Sequence, residues 1–370
     1  MKLVSTTVCG SSELSIVAMV MSVRDWVDAV VLLDTGVTDS TIHLARSVCD
    51  KVHVVPFTWI NDFSAARNAA LKAAHDVSLK EFGGVGGTWA VMVDTDETIR
   101  LIGSVDNLRD KLDKAGVDHL SIDHDSHIYS QPRFFRLPAR GAFSGKTHEA
   151  YPAASLGCKY TSSAVFCDKP KSPEQLRVKL ERDLVILQGE VLADPKASRW
   201  WYYLGDTLSN LGRSEGALDA FRQCWELNGW DEESAWAAYR CACLWADLEK
   251  WDRVVEWGVR GVQRHAGIAE NAWQAAFGHH KAGNQRQAIY WAQLAVVHGY
   301  YEGDGKEIDR RGFKYLPALY EKPYDVLRYA YKFLGDETME KLYARRAESA
   351  RKKREVDTTQ SPTTSLETTP

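Results

Sequence analysis

Asp94-Thr95-Asp96-Glu97 follows Trp89-Ala90-Val91-Met92-Val93, a short apolar run that reads as a buried strand. Such a strand delivers two carboxylates into a cleft. Residues two apart in an extended chain face the same way, and a turn just after the strand can bring the second carboxylate into the same cavity. Hard oxygen donors of this kind suit Mg2+ or Mn2+. A cation held there can neutralise a diphosphate as it leaves, which stabilises developing negative charge. Alone, the same residues also describe an acidic surface turn.

Other segments supply matching chemistry. Asp34 ends the apolar run Ala29 to Leu33 and precedes Thr35-Gly36, where it can accept hydrogen bonds from a nucleoside. Asp62 is placed to cap a helix beginning Phe63-Ser64-Ala65-Ala66, and Arg67 and Asn68 lie near that helix start, within reach of a sugar diphosphate. Arginine brings a rigid fork of donors that suits phosphate or a neighbouring carboxylate. His148 offers an imidazole nitrogen to the same metal. Glu149 offers a carboxylate that could take a proton from an acceptor hydroxyl or thiol. Arg133 and Arg136 flank two aromatics and, three apart, face different ways in a strand; one could approach phosphate. Asp123 and Asp125, beside His124 and His127, are rival candidates for the base.

The elements that must position these groups alternate. Leu3 to Val8, Ala29 to Leu33, Val52 to Val55 and Trp89 to Val93 read as strands; Glu13 to Val23, Ser40 to Val48 and Phe63 to His75 read as helices. That alternation predicts a mostly parallel sheet covered on both faces, with the binding site beyond the carboxyl ends of its strands.

Taken together, the segments resemble family 2 glycosyltransferases of the GT-A fold, in the branch whose catalytic domain is joined to tetratricopeptide-like helices. Asp34-Thr35-Gly36-Val37-Thr38-Asp39-Ser40-Thr41, Trp59-Ile60-Asn61-Asp62-Phe63-Ser64-Ala65-Ala66-Arg67-Asn68, Asp94-Thr95-Asp96-Glu97, Arg133 to Arg136 and His148-Glu149 carry the likeness, over roughly residues 1–160. Val37 and Ser40 stand where the family has Ser and Gly, and Val8-Cys9-Gly10-Ser11-Ser12-Glu13 replaces a Lys-Asn-Glu-rich turn. The resemblance implies an α/β GT-A-like nucleotide-sugar-binding domain and inverting transfer from a nucleoside-diphosphate sugar. It implies Asp34, Arg67, Asn68, Asp94 and Arg136 around the donor; Asp94, Asp96 and His148 around Mn2+ or Mg2+; and Glu149 with Asp96 in catalysis. The expected acceptor is a hydroxyl or thiol on a protein, peptide or glycan.

Composition changes after Lys169-Pro170-Lys171-Ser172-Pro173, a boundary segment that disfavours continuous structure. Ten of the thirteen tryptophans lie beyond residue 199, and Trp201-x-x-Leu204-Gly205 followed by Ala217 and Phe221 has tetratricopeptide spacing. The expected organisation is a transferase domain at 1–168, a linker helix at 169–198, all-α repeats at 199–300, a helical extension at 301–350 and a disordered tail at 351–370, rich in Thr, Ser and Pro at its end. The clustered apolar helix pairs could form a homodimer interface.

Bulk properties narrow the class. A net charge of -4 and a pI near 6.3 argue against a generally basic nucleic-acid-binding surface. Seven irregularly spaced cysteines read as reduced, mostly buried thiols. No apolar run approaches the roughly 20 residues of a membrane span, so a soluble, cytoplasmic protein is expected. Two rival functions use the same features: a non-catalytic polypeptide-binding repeat protein with a degenerate transferase domain, and a nucleotidyltransferase.

Overall fold

The computed structural model describes residues 1–83, 87–125, 129–151, 158–300 and 312–360. The chain divides into two units, Met1–Pro173 and Glu174–Pro370.

The first unit is built on one sheet of eight strands: β1 (Lys2–Cys9), β2 (Ala29–Asp34), β3 (Val52–Pro56), β4 (Thr88–Met92), β5 (Glu97–Leu101), β6 (His119–His124), β7 (Ser130–Leu137) and β8 (Cys158–Asp168). Their order is β3-β2-β1-β4-β7-β6-β8-β5. Strands β3, β2, β1 and β4 are parallel. Beyond β4 the sheet is mixed: β7 is antiparallel to β4 and β6, β8 is parallel to β6, and β5 is antiparallel to β8. The expectation of a mostly parallel sheet therefore holds for one half only. The other half comes from strands with polar residues such as Arg100, Ser121 and Arg133 among the apolar ones, which do not read as apolar runs.

Both faces of the parallel half are covered, as continuous apolar strands require. Side chains alternate across the sheet. Val4, Val31, Leu33, Ala90 and Met92 meet Ala66, Ala70, Leu71 and Ala74 of helix α3 (Phe63–Phe82). Leu3, Val30, Leu32, Trp89 and Val91 meet Ile16, Met19, Val20 and Val23 of α1 (Ile16–Val23) on the other face. The small alanine face of α3 lets it lie close to the sheet. The Asp62 carboxylate accepts from the Ala65 N–H at 2.8 Å and fixes where α3 begins. Helices α2 (Thr41–Val48) and α4 (Val105–Asp113) complete the unit.

The second unit is all-α: α5 (Pro173–Ala193), α6 (Ser198–Asn210), α7 (Ser214–Leu227), α8 (Asp231–Asp247), α9 (Trp251–Arg264), α10 (Ala269–Lys281), α11 (Gln285–Val297), α12 (Leu316–Leu319), α13 (Lys322–Phe333) and α14 (Glu337–Gln360). Helices α6 to α11 form three successive hairpins whose tight turns share one conformation. Gly212, Glu249 and Gly283 occupy equivalent left-handed positions, with φ of 73°, 53° and 84°. Gly205 admits the Phe221 ring: a Cβ on Gly205 would lie 2.8 Å from it. The segment entering α12 packs on the repeats. Phe313 stacks on Trp236, and the Tyr315 N–H donates to Glu270 at 3.0 Å. A cavity of about 760 Å³ lies beside it, lined by Tyr239, Trp273, Phe277, Lys281, Tyr315 and Lys322 among others. The tail expected from residue 351 starts inside α14, which continues to Gln360; residues 361–370 lie outside the described residues. No described helix is long and apolar enough to cross a membrane.

Candidate functional site

The site lies beyond the carboxyl ends of β1, β2 and β4. Cys9 pairs with Asp34, and the Val93 N–H donates to the Thr6 carbonyl at 3.1 Å. Asp34 and Asp94 therefore flank β1, two strand spacings or about 10 Å apart. At such a place in an open α/β sheet, the loops on either side of a strand diverge and leave a crevice.

Asp34 Oδ1 accepts from the N–H groups of Gly36 at 2.9 Å and Val37 at 2.8 Å. This turn holds the carboxylate at the strand end, with Oδ2 not hydrogen-bonded among the described residues. The β1–α1 and β2–α2 loops are knitted together here: the Ser12 N–H donates to Thr41 Oγ1 at 2.7 Å and the Thr38 N–H to Ser11 Oγ at 3.1 Å. Cys9 is buried beneath, its thiol pushed up to about 12 by burial and by the charge of Asp34. It is a packed thiol, with little thiolate to act as a nucleophile.

Arg67 is the hub of the site. Its Nη1 donates to Asp94 Oδ1 at 2.9 Å, its Nη2 to Asp94 Oδ2 at 3.0 Å, and its Nε to Glu149 Oε1. One guanidinium thus joins three segments distant in sequence. Burial opposes ionisation of Asp94, but the charges of Arg67 and Arg133 outweigh it and hold the carboxyl well below its usual range. Glu149 projects from a loop closed by reciprocal hydrogen bonds between Ser144 and Ala150, both 3.0 Å. His148 takes a left-handed backbone, φ 48°, at the position before it. A non-glycine residue there is strained, and such strain gathers at functional loops. Glu149 Oε2 is not hydrogen-bonded among the described residues.

Asn68 lies next to Arg67 but faces a different partner. Its amide donates to the Phe143 carbonyl at 2.9 Å and accepts from the Phe143 N–H at 2.8 Å. It tethers the loop that carries Glu149, and its amide is committed to that backbone. Arg136, expected near the donor, lies at the other end of the sheet. It pairs across from Trp89, its guanidinium is 4.8 Å from that ring's centroid, and Nε reaches the Val117 carbonyl. Asp94 lies five positions after Trp89, roughly 16 Å of extended chain. The correction follows from register: in β7 it is Arg133 that comes alongside the acidic turn.

Three residues outside the expected set complete the constellation. Arg133, 3% exposed, donates to Glu97 and comes within 3.9 Å of Asp94. Glu97 accepts the Asp94 N–H at 3.1 Å; its burial and the nearby Asp94 charge raise its carboxyl despite Arg133. Lys171 Nζ lies 2.6 Å from Asp96 Oδ2. Burial works against the ammonium, and the hydrogen bond and charge of Asp96 more than restore it. Glu97 was legible as the last residue of the acidic motif. Lys171 was not, because only the pairing of Glu97 with Asp168 brings it near. Asp123 is 9% exposed at the end of β6; Asp125 lies 3.2 Å from His124, which also meets Asp168 at 2.8 Å. His127 lies outside the described residues.

Among the described residues, no group of three or more His, Cys, Asp or Glu side chains is arranged to hold a metal ion. What the site offers a hard cation is carboxylate oxygen, foremost Asp96, whose side chain is 35% exposed and already holds the Lys171 ammonium. Mg2+ and Mn2+ commonly take one or two protein carboxylates and draw further oxygens from substrate phosphates, and the donor set fits that use.

No family model matches the chain. Over 218 residues it is 24% identical to the SPbeta prophage-derived glycosyltransferase SunS of Bacillus subtilis, covering 55% of this chain and 48% of that protein. The chain spans about half the length of that relative. A stretch of 93 residues is 36% identical to a TPR repeat-containing protein of Synechococcus elongatus, covering 25% of this chain and 20% of the other. Among solved structures, MamA aligns with 50% of this chain and 99% of its own at a TM-score of 0.38 and 14% identity. The sequence relatives and the two units together support a glycosyltransferase-like, TPR-like two-unit architecture.

Proposed function

We propose that the first unit is a GT-A-like, divalent-metal-dependent, inverting glycosyltransferase that moves a sugar from a nucleoside-diphosphate donor to a hydroxyl or thiol of a protein, peptide or glycan. The observation that carries this reading is the Arg67 guanidinium joined to Asp94 and Glu149 at the open end of the sheet. The distant likeness to a glycosyltransferase agrees with it.

In this reading Asp34 receives the nucleoside. Arg67 is less a phosphate ligand than an organiser, holding Asp94 at the donor and Glu149 at the acceptor. Asp96, with Asp94 and His148 as further candidate ligands, would hold Mn2+ or Mg2+, whose charge would neutralise the departing diphosphate. The acceptor oxygen or sulfur forms a bond to the anomeric carbon while the bond from that carbon to the diphosphate oxygen breaks. The acceptor proton passes to Glu149 Oε2, the oxygen that Arg67 leaves open.

The test is release of nucleoside diphosphate from a panel of nucleotide sugars, with and without Mn2+. Metal-dependent release by the wild type, lost in Asp96→Ala with the fold intact, supports the assignment. No release from any donor would sink it, and a product retaining nucleoside monophosphate would point to nucleotidyl transfer instead.

A further inference from the structure

Lys171 is the counter-ion of Asp96, the carboxylate proposed above to hold the metal. Its ammonium lies 2.6 Å from Asp96 Oδ2, and the two side chains are 38% and 35% exposed. The position is built by the fold. Asp168 pairs with Glu97 at the end of the β5–β8 ladder, and the Lys169 N–H donates to the Asp96 carbonyl at 3.1 Å. Pro170 and Pro173 bracket Lys171 and restrict the backbone around it. The segment is therefore pinned at Asp96, while the lysine's four-carbon stem leaves the ammonium able to swing.

The other two acids of the turn are committed to arginines. Both Asp94 oxygens are held by Arg67, and Glu97 is held by Arg133. Asp96 is thus the carboxylate whose counter-ion can be exchanged most readily, since both partners reach solvent.

We propose that Lys171 is a built-in counter-ion that holds Asp96 against free divalent metal and yields it when metal arrives together with a nucleoside diphosphate. This rests on the metal-dependent donor reading above. A metal ion alone must displace an ammonium and then share the site with its charge, which like-charge repulsion opposes. A metal–diphosphate complex brings its own negative oxygens. Lys171 can then exchange a carboxylate partner for a phosphate partner without losing a charge-assisted hydrogen bond. Metal and donor would enter as a pair, and Lys171 would stay beside the leaving group as a second positive charge.

The experiment measures Mn2+ alone binding to the full chain, by the electron paramagnetic resonance signal of free Mn2+, for wild type, Lys171→Met, Lys171→Arg and the double variant Lys171→Met/Asp96→Asn. Lys171→Met should bind Mn2+ at least tenfold more tightly than wild type, about 1.4 kcal/mol. Lys171→Arg should stay close to wild type, and the double variant should lose the gain. Lys171→Gln provides a second neutral replacement, and a thermal melt verifies each fold. Affinities of Lys171→Met and Lys171→Gln within twofold of wild type would overturn the proposal, as would a gain that survives Asp96→Asn. Because the readout needs no donor sugar, this failure is distinct from failure of the transferase reading, which donor hydrolysis by the wild type decides.

Discussion

Arg67 and Asp94 meet through both ends of each group, Nη1 to Oδ1 at 2.9 Å and Nη2 to Oδ2 at 3.0 Å. An end-on, two-bonded pair of this kind fixes the carboxylate's rotation as well as its position. Because the third nitrogen, Nε, is bonded to Glu149, the orientation of one acid is coupled to that of the other. Helix α3 thereby sets the geometry of a β-strand end and of a distant loop at once.

Lysine cannot reproduce this fork. Arg67→Lys should lower stability by about 1–3 kcal/mol, less than for a fully buried pair because Asp94 is 30% exposed. Nucleoside diphosphate release should fall by much more than the loss of folded protein explains. Urea denaturation and an initial-rate assay report the two effects. A variant that unfolds at the wild-type midpoint and turns over normally would show that the fork has no organising part.

In the repeats, Glu249 stands at the left-handed turn position that glycine fills at 212 and 283. A side chain there is strained, and glycine is not. Glu249→Gly should stabilise the protein by up to about 1 kcal/mol, with part of the relief offset by greater freedom of the unfolded chain. Gly283→Ala should cost about 1 kcal/mol although no atom lies within 4 Å of the added Cβ. Opposite shifts in thermal midpoint would verify the turn's conformation; a stabilising Gly283→Ala would refute it.

Asp28 accepts from the Leu3 N–H at 2.9 Å, Lys2 at 3.0 Å and Arg109 at 3.0 Å. Burial pushes its carboxyl upward, but these donors outweigh it and hold the folded-state value below the ordinary 3.8. A lowered carboxyl binds fewer protons when folded than when unfolded. Its stabilisation is therefore present above the ordinary value and is lost as pH falls through the lower folded one. Asp28→Asn should cost about 1–3 kcal/mol at neutral pH and flatten the dependence of stability on pH below about 4. Unchanged acid sensitivity in denaturation curves taken across that range would contradict this.

The parallel half of the sheet was legible because β2 and β4 are continuous apolar runs, which Asp34 and Asp94 terminate. The acidic turn, Arg67 and Glu149 were legible as chemistry, and the fold brings them together. Their pairing was less legible: nothing local distinguishes an arginine that meets phosphate from one that joins two carboxylates. Arg136 was favoured over Arg133 because both flank the same aromatics, and the Val91–Phe134 register that separates them is a long-range property of the sheet. Asn68 looked like a ligand for the same reason, since its partner Phe143 is 75 positions away. Lys171 depended on antiparallel pairing between β5 and β8, strands too polar to stand out.

In the proposed transferase, the Arg67–Glu149 contact also separates binding from transfer. Glutamine at 149 keeps the shape and an oxygen for Arg67 Nε, but it cannot accept the acceptor's proton. Glu149→Gln should leave nucleotide-sugar binding within a few-fold of wild type while transfer falls by about 10²–10⁴. Asp96→Asn acts at the proposed cation site, so metal-dependent donor binding should weaken as well. Calorimetric titration with the donor, set beside acceptor modification measured by mass, separates the two patterns. Glu149→Gln that transfers at the wild-type rate would move the base to Asp123 or Asp125, and Asp96→Asn with unimpaired metal-dependent donor binding would remove Asp96 from the cation site.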